Sequence, residues 1–294
     1  MSGSEPTPGA TPGAGADVAG RFVGHGRLHG HHPEHGADTA GTAWAGRTIT
    51  GSPFATDSGE PDAAVRAAMA RLHEAPREQT AARETDLLTA LGAARLFAVV
   101  QAVPTEVEEA DQPGGLAREV RSDMASPVLS APDGRRGMPV FTGLDTLAAW
   151  RADARPVPVA AADAARAAIE DACDVVLLDI GTQAGQVLRL SHVWALAQER
   201  PWRPAHEDDV VRAALARAVA GRPDIVSASL GDGSVHAPGV TRVVLTLRAG
   251  LAPDQVRALT ESIGESLAAD PDVRIRVDDL AMVLRHADDQ ADGQ

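Results

Sequence analysis

The chain has 294 residues, 44% of them hydrophobic but only 3% aromatic, and a formal net charge of −14 at pH 7. That length fits one or two domains, and that apolar share fits a globular protein with a core of Ala, Val and Leu. All 27 basic residues are Arg; the acidic excess favours solubility and argues against nucleic acid, whose binding rests on neutralising phosphates.

Residues 1–59 are rich in Gly, Pro, Ala, Thr and His and show no apolar periodicity. Such a segment cannot bury enough surface to offset its ordering entropy, so disorder is expected there. A second disordered tail is expected over 287–294. The first twenty residues have no basic start and no apolar run, so no signal peptide is expected. No window approaches 18 consecutive apolar residues, so no membrane span is expected. The cytoplasm is the expected location.

Order is expected from Pro61. Val65, Met69 and Leu72 recur at helical spacing, and Pro61 suits a first turn. Pro76 stops that helix. A second, with Ala81, Leu87, Leu88 and Leu91 on one side, closes at Gly92. Residues 94–103 form a short apolar run, the pattern of a buried strand. The acidic stretch 104–121 reads as a surface loop. Residues 122–132 and 137–142 read as strands joined by the Asp133-Gly134 turn. A short helix is expected over 143–151. A strand whose prolines suit an edge or a strand end follows over 155–160, then an Ala-rich helix over 161–172. Residues 174–181 are the most strand-like stretch. A strand over 186–190 and a helix over 191–198 complete this module, 60–198.

Residues 199–206 carry two prolines and read as a linker. A helix is expected over 207–221, its acidic start matching the helix dipole. Two strands around a Gly-rich turn follow. Then come a long amphipathic helix over 252–270, a half-exposed strand over 273–279, and LAMVLR to close the fold. The fold class is thus mixed α/β. The C-terminal module, 207–286, has the order αββαβ, read as a small antiparallel sheet of ferredoxin-like type.

Several ordered pieces carry a family resemblance. They are Ser-Asp-Met-Ala at 122–125, Pro-Asp-Gly at 132–134 and Pro-Val-Phe-Thr at 139–142. Ala-Trp-Arg at 149–151, Ala-Arg-Pro-Val-Pro-Val at 154–159 and the strand ending in Asp179 follow them. In this combination the chain resembles SseB family proteins of the actinobacterial type. The likeness extends more loosely through Pro201-Trp202 and His206-Glu207-Asp208 into an SseB-like C-terminal region. The family is named for enhanced serine sensitivity. The resemblance implies no agreed biochemical activity and no catalytic residues to carry over.

The residues themselves offer few sites. His31-His32-Pro33-Glu34-His35 spells a zinc-protease pattern, but Pro33 and the flanking glycines oppose the helix it needs. Together with His25 and His29 the tract could chelate metal only loosely, so no metal site and no cofactor are expected. Cys173 is the only cysteine, so no internal disulfide can form. Glu170, Asp171 and Asp174 flank it and disfavour a reactive thiolate, which makes it a structural Cys. Asp179 ends a strand, where ligands often sit in α/β sheets. No phosphate loop follows it, and Gly231-Asp-Gly233 is too short for a dinucleotide fingerprint. Arg135, Arg136, Arg151 and Arg155 could hold an acidic partner by bidentate contacts. Phe141 and Trp150 read as core anchors. Trp202, between Arg200 and Arg203, reads as a module anchor or a docking surface.

The expectation is therefore a non-catalytic protein-interaction or regulatory module. Its binding residues would be Arg135, Arg151, Arg155, Asp179 and Trp202. The partner would be a protein, with self-association as a further outcome through the strand edge at 273–277. The alternative is a small-molecule binder or enzyme of unrecognised type, anchored at Asp179.

Overall fold

The structure is a computed structural model and describes residue 54, residues 56–108 and residues 118–287, with backbone alone for 101–108 and 118–125. Of the tails expected over 1–59 and 287–294, residues 1–53, 55 and 288–294, with the His-rich tract, lie outside the described residues. Within them the order is α1 (Ala63–His73), α2 (Thr80–Gly92), β1 (Arg95–Glu108), β2 (Arg118–Ala125), β3 (Leu129–Ser130), β4 (Arg136–Phe141) and α3 (Leu144–Trp150). Then come β5 (Arg155–Ala160), α4 (Ala161–Glu170), β6 (Val175–Leu178), β7 (Gln186–Leu188) and α5 (Leu190–Ala197). The chain continues with α6 (Asp209–Val219), β8 (Ile225–Asp232), β9 (Val240–Leu247), α7 (Pro253–Ala269), α8 (Pro271–Arg274) and β10 (Asp279–His286). The α/β class is as expected.

Two compact units divide these elements. The first comprises the described residues up to Asp62 with Leu96–Val159 and Leu177–Val187. Most of a sheet with the order β2-β1-β4-β6-β7 lies here, with β3 paired to β4 and β5 to β1. Phe97 stands opposite Phe141 where β1 and β4 run antiparallel. The Asp133-Gly134 turn forms as its composition demands. Gly134 has φ of +86°, a region that costs a side chain but not glycine, and its N–H donates to the Ala131 carbonyl. The acidic stretch is the first departure. Instead of looping from 104, β1 runs on to Glu108 and pairs antiparallel with β2, with register shifts around Glu106. Backbone ladders do not require apolar side chains, and composition alone concealed this one.

The second unit comprises Ala63–Arg95, Ala160–Val176 and the chain from Leu188. Helices α1 and α2 pack together, as do α4 and α5. The C-terminal elements follow the expected αββαβ order except for the short helix α8 before the last strand, and their sheet is mixed. It runs β10-β9-β8, with β8 antiparallel and β10 parallel to β9. A ferredoxin-like arrangement would place another strand between β9 and β10, whereas here the two pair directly. Their core is Ala214, Leu215 and Ala218 of α6, Val243, Leu245 and Leu247 of β9, Ile263 and Leu267 of α7, and Val273. Val273 begins no strand. Residues 271–274 form a helical turn, and the strand starts at Asp279.

Candidate functional site

In the first unit, β6 delivers Asp179 to a turn. The residue is 3% exposed and has φ of +50°, an uncommon conformation that Asp tolerates better than most residues. Its N–H donates to the Val140 carbonyl on β4 at 2.9 Å. One carboxyl oxygen accepts from the Thr142 N–H at 2.8 Å and the Thr146 hydroxyl at 2.8 Å. The other accepts from the Thr142 hydroxyl at 2.7 Å. Burial pushes the carboxyl above its ordinary value, and the hydrogen bonds of Thr142 and Thr146 oppose that push. The turn beyond closes on itself, with Thr182 donating to the Asp179 carbonyl through both its N–H and its hydroxyl. A Cβ on Gly185 would stand 2.8 Å from that carbonyl oxygen, so the position requires glycine. Asp179 thus bolts the end of β6 to the β4–α3 corner. Its oxygens face the protein's own donors.

The other expected site residues separate by burial. Arg135, Arg151 and Arg155 are exposed. Arg135 pairs with Asp133 at 2.8 Å. The Arg151 guanidinium lies 4.9 Å from the Trp150 ring centroid, a cation–π contact. Trp150 in turn packs on Phe141 at 5.3 Å between centroids, as core anchors do. Cys173 is buried after α4, in the second unit. Trp202 is no docking surface. It is 6% exposed, its indole N–H donates to the Ser191 hydroxyl at 3.1 Å, and its ring meets His192 edge-on at 4.6 Å.

The second unit also holds a polar cluster that the sequence reading missed. Arg189, which precedes α5, makes a two-pronged contact with Glu84 of α2 at 2.6 and 2.9 Å. Its Nε donates to Asp278 at 2.8 Å. Asp278 also accepts from the N–H and the hydroxyl of Ser191, both at 2.8 Å. The side chains of Arg189, Glu84 and Asp278 are only 16%, 12% and 13% exposed. Burial alone would pull the guanidinium down, but the two carboxylates hold it above its ordinary value. Arg189 also reaches His192 Nε2 at 3.0 Å. Arginine only donates, so Nε2 accepts and the imidazole proton sits on Nδ1. That N–H finds no acceptor among the described residues. Burial first, and the Arg189 charge second, keep His192 neutral. Gly239 closes over the cluster with φ of +85°, where a Cβ would stand 2.6 Å from Arg189 Nε. Residues 84, 189 and 278 are far apart in the chain. The sequence signal was a set of polar residues, Arg189, Ser191 and His192, inside the otherwise apolar stretch Val187–Ala197.

An α/β protein with these two polar knots and no metal-ligating cluster among its described residues is the class that the fold defines. Residues 65–195 match the family model of the SseB protein N-terminal domain. Residues 65–195 therefore form an SseB N-terminal domain. The match ends before α6 and covers none of the αββαβ elements. No curated protein and no solved structure matched the chain. No helix among the described residues is long and apolar enough to cross a membrane.

Proposed function

We propose that this protein acts by binding another protein rather than by chemistry, as a cytoplasmic regulatory module. The observation that carries the reading is the engagement of Asp179. The strand end is the place where an α/β sheet most readily offers a ligand a carboxylate. Here three donors, two of Thr142 at the β4–α3 corner and one of Thr146 in α3, already occupy that carboxylate. The burial of Cys173 supports the same reading, while that of Trp202 removes one of the residues expected to bind. What is left facing solvent in the first unit includes Arg135, Arg151 and Arg155, side chains suited to carboxylates of an acidic partner. The SseB-like character of the C-terminal module rests on the sequence resemblance and belongs to this proposal.

A thermal-shift screen of a metabolite panel on the wild-type protein and on Asp179→Asn tests the choice between binding module and enzyme. The reading predicts no compound that stabilises the wild type strongly and loses its effect in the variant. Such a compound would make Asp179 a ligand anchor and overturn the proposal.

A further inference from the structure

Strand β10 is bonded to β9 on one side, and no strand pairs with its other edge among the described residues. Its ladder runs unshifted from Asp279 opposite Val240 to His286 opposite Leu247. At the far side of the sheet, β8 has a register shift between Ile225 and Ser227. Bulges and prolines are devices that keep sheet edges from pairing. β10 has no proline and no shift.

The side chains of β10 alternate between faces. Leu280 and Met282 pack towards the core. Leu284 shares their face yet is 43% exposed. Asp279 and Arg285 share the opposite face and are both exposed. Among the described residues the Asp279 carboxylate accepts from the adjacent Leu280 N–H at 2.7 Å and has no ion pair, and Arg285 has none either.

We propose that β10 pairs antiparallel with β10 of a second copy of this chain, about a two-fold axis at Met282. Opposed residues of an antiparallel pair share a face. This register therefore sets Asp279 against Arg285 of the second copy, Leu280 against Leu284 and Ala281 against Val283. The symmetry makes each pair twice. A register centred on Val283 would set Arg285 against Ala281, and one centred on Ala281 would set Asp279 against Val283. Only the Met282 register satisfies both charges and covers Leu284. The two three-stranded sheets become one of six strands, whose remaining edges are the shifted β8 strands. This pairing lies in the second unit and is independent of the arginine surface proposed above.

Light scattering after size exclusion, across a dilution series of the full chain, tests it. The wild type is expected to be a dimer that dissociates on dilution. Arg285→Glu sets like charges opposite one another twice and is expected to raise the dissociation constant about tenfold. The double variant Asp279→Arg/Arg285→Glu recreates both pairs with reversed sign and is expected to return to within about threefold of wild type. Both positions are exposed, and circular dichroism melts check that each variant is folded. A wild type that stays monomeric throughout overturns the proposal, including one that captures a strand of another protein instead. So does a dimer indifferent to the single reversal, or one that the double reversal fails to rescue.

Discussion

Asp179 is the residue where the chemical and the structural readings diverge most. Its position at the end of an apolar strand was legible in the sequence, because 174–181 is the chain's most strand-like run. What it touches was not, since Thr142 and Thr146 lie 37 and 33 residues away. Asn at 179 tolerates the positive φ and keeps an acceptor oxygen, so Asp179→Asn is expected to cost no more than about 1 kcal/mol. Ala leaves the Thr142 N–H buried without its acceptor, so Asp179→Ala is expected to cost about 3 kcal/mol in urea denaturation. The pH dependence has a definite sign. Burial raises the folded carboxyl above its ordinary 3.8, so the folded state holds the proton more tightly than the unfolded chain. The wild type gains stability as pH falls through the raised value, and the gain is complete below 3.8. Asn cannot share that gain. The stability difference between wild type and Asp179→Asn should widen from neutral pH towards pH 4, and a difference that narrows would contradict the assignment.

At the scale of elements, the helices and the Asp133-Gly134 hairpin follow from local signals, and they form where the periodicity and the turn residues place them. The misplaced strand at 273–279 shows which signal wins. Val-Arg-Ile-Arg-Val alternates as a strand should, but Asp270 accepts from the N–H groups of Asp272 and Val273 and Pro271 suits a first turn. A capped helix start therefore outweighs a period-two pattern, and the strand starts ten residues beyond the end of α7 instead, at Asp279. The Arg189 cluster was illegible for a different reason. It joins α2, the entry to α5 and the approach to β10, and such convergence leaves no local trace. Arg189→Met would leave Glu84 and Asp278 buried without their cation. Its expected cost is about 3–5 kcal/mol in equilibrium unfolding. A loss below about 1 kcal/mol would mean that the cluster is surface-like despite its burial.

For the molecule as a whole, composition and order sufficed for the class and for the family, since the SseB pieces recur in sequence over a stretch that the family model covers. Composition also hid things. An acidic net charge says nothing of a buried arginine, and the flanking Arg200 and Arg203 made Trp202 look like a surface signal when its indole is hydrogen-bonded inside. With Asp179 and Arg189 both committed to holding the fold, the proposed recognition falls to the exposed arginines. Affinity capture from native extract with the wild type and with Arg135→Glu/Arg151→Glu/Arg155→Glu, quantified by mass spectrometry, tests this most directly. The account predicts an acidic protein retained by the wild type in near-stoichiometric amount and reduced about tenfold or more in the triple variant, whose melting temperature is unchanged. Equal retention by the two proteins, or no protein retained above background by either, would contradict it.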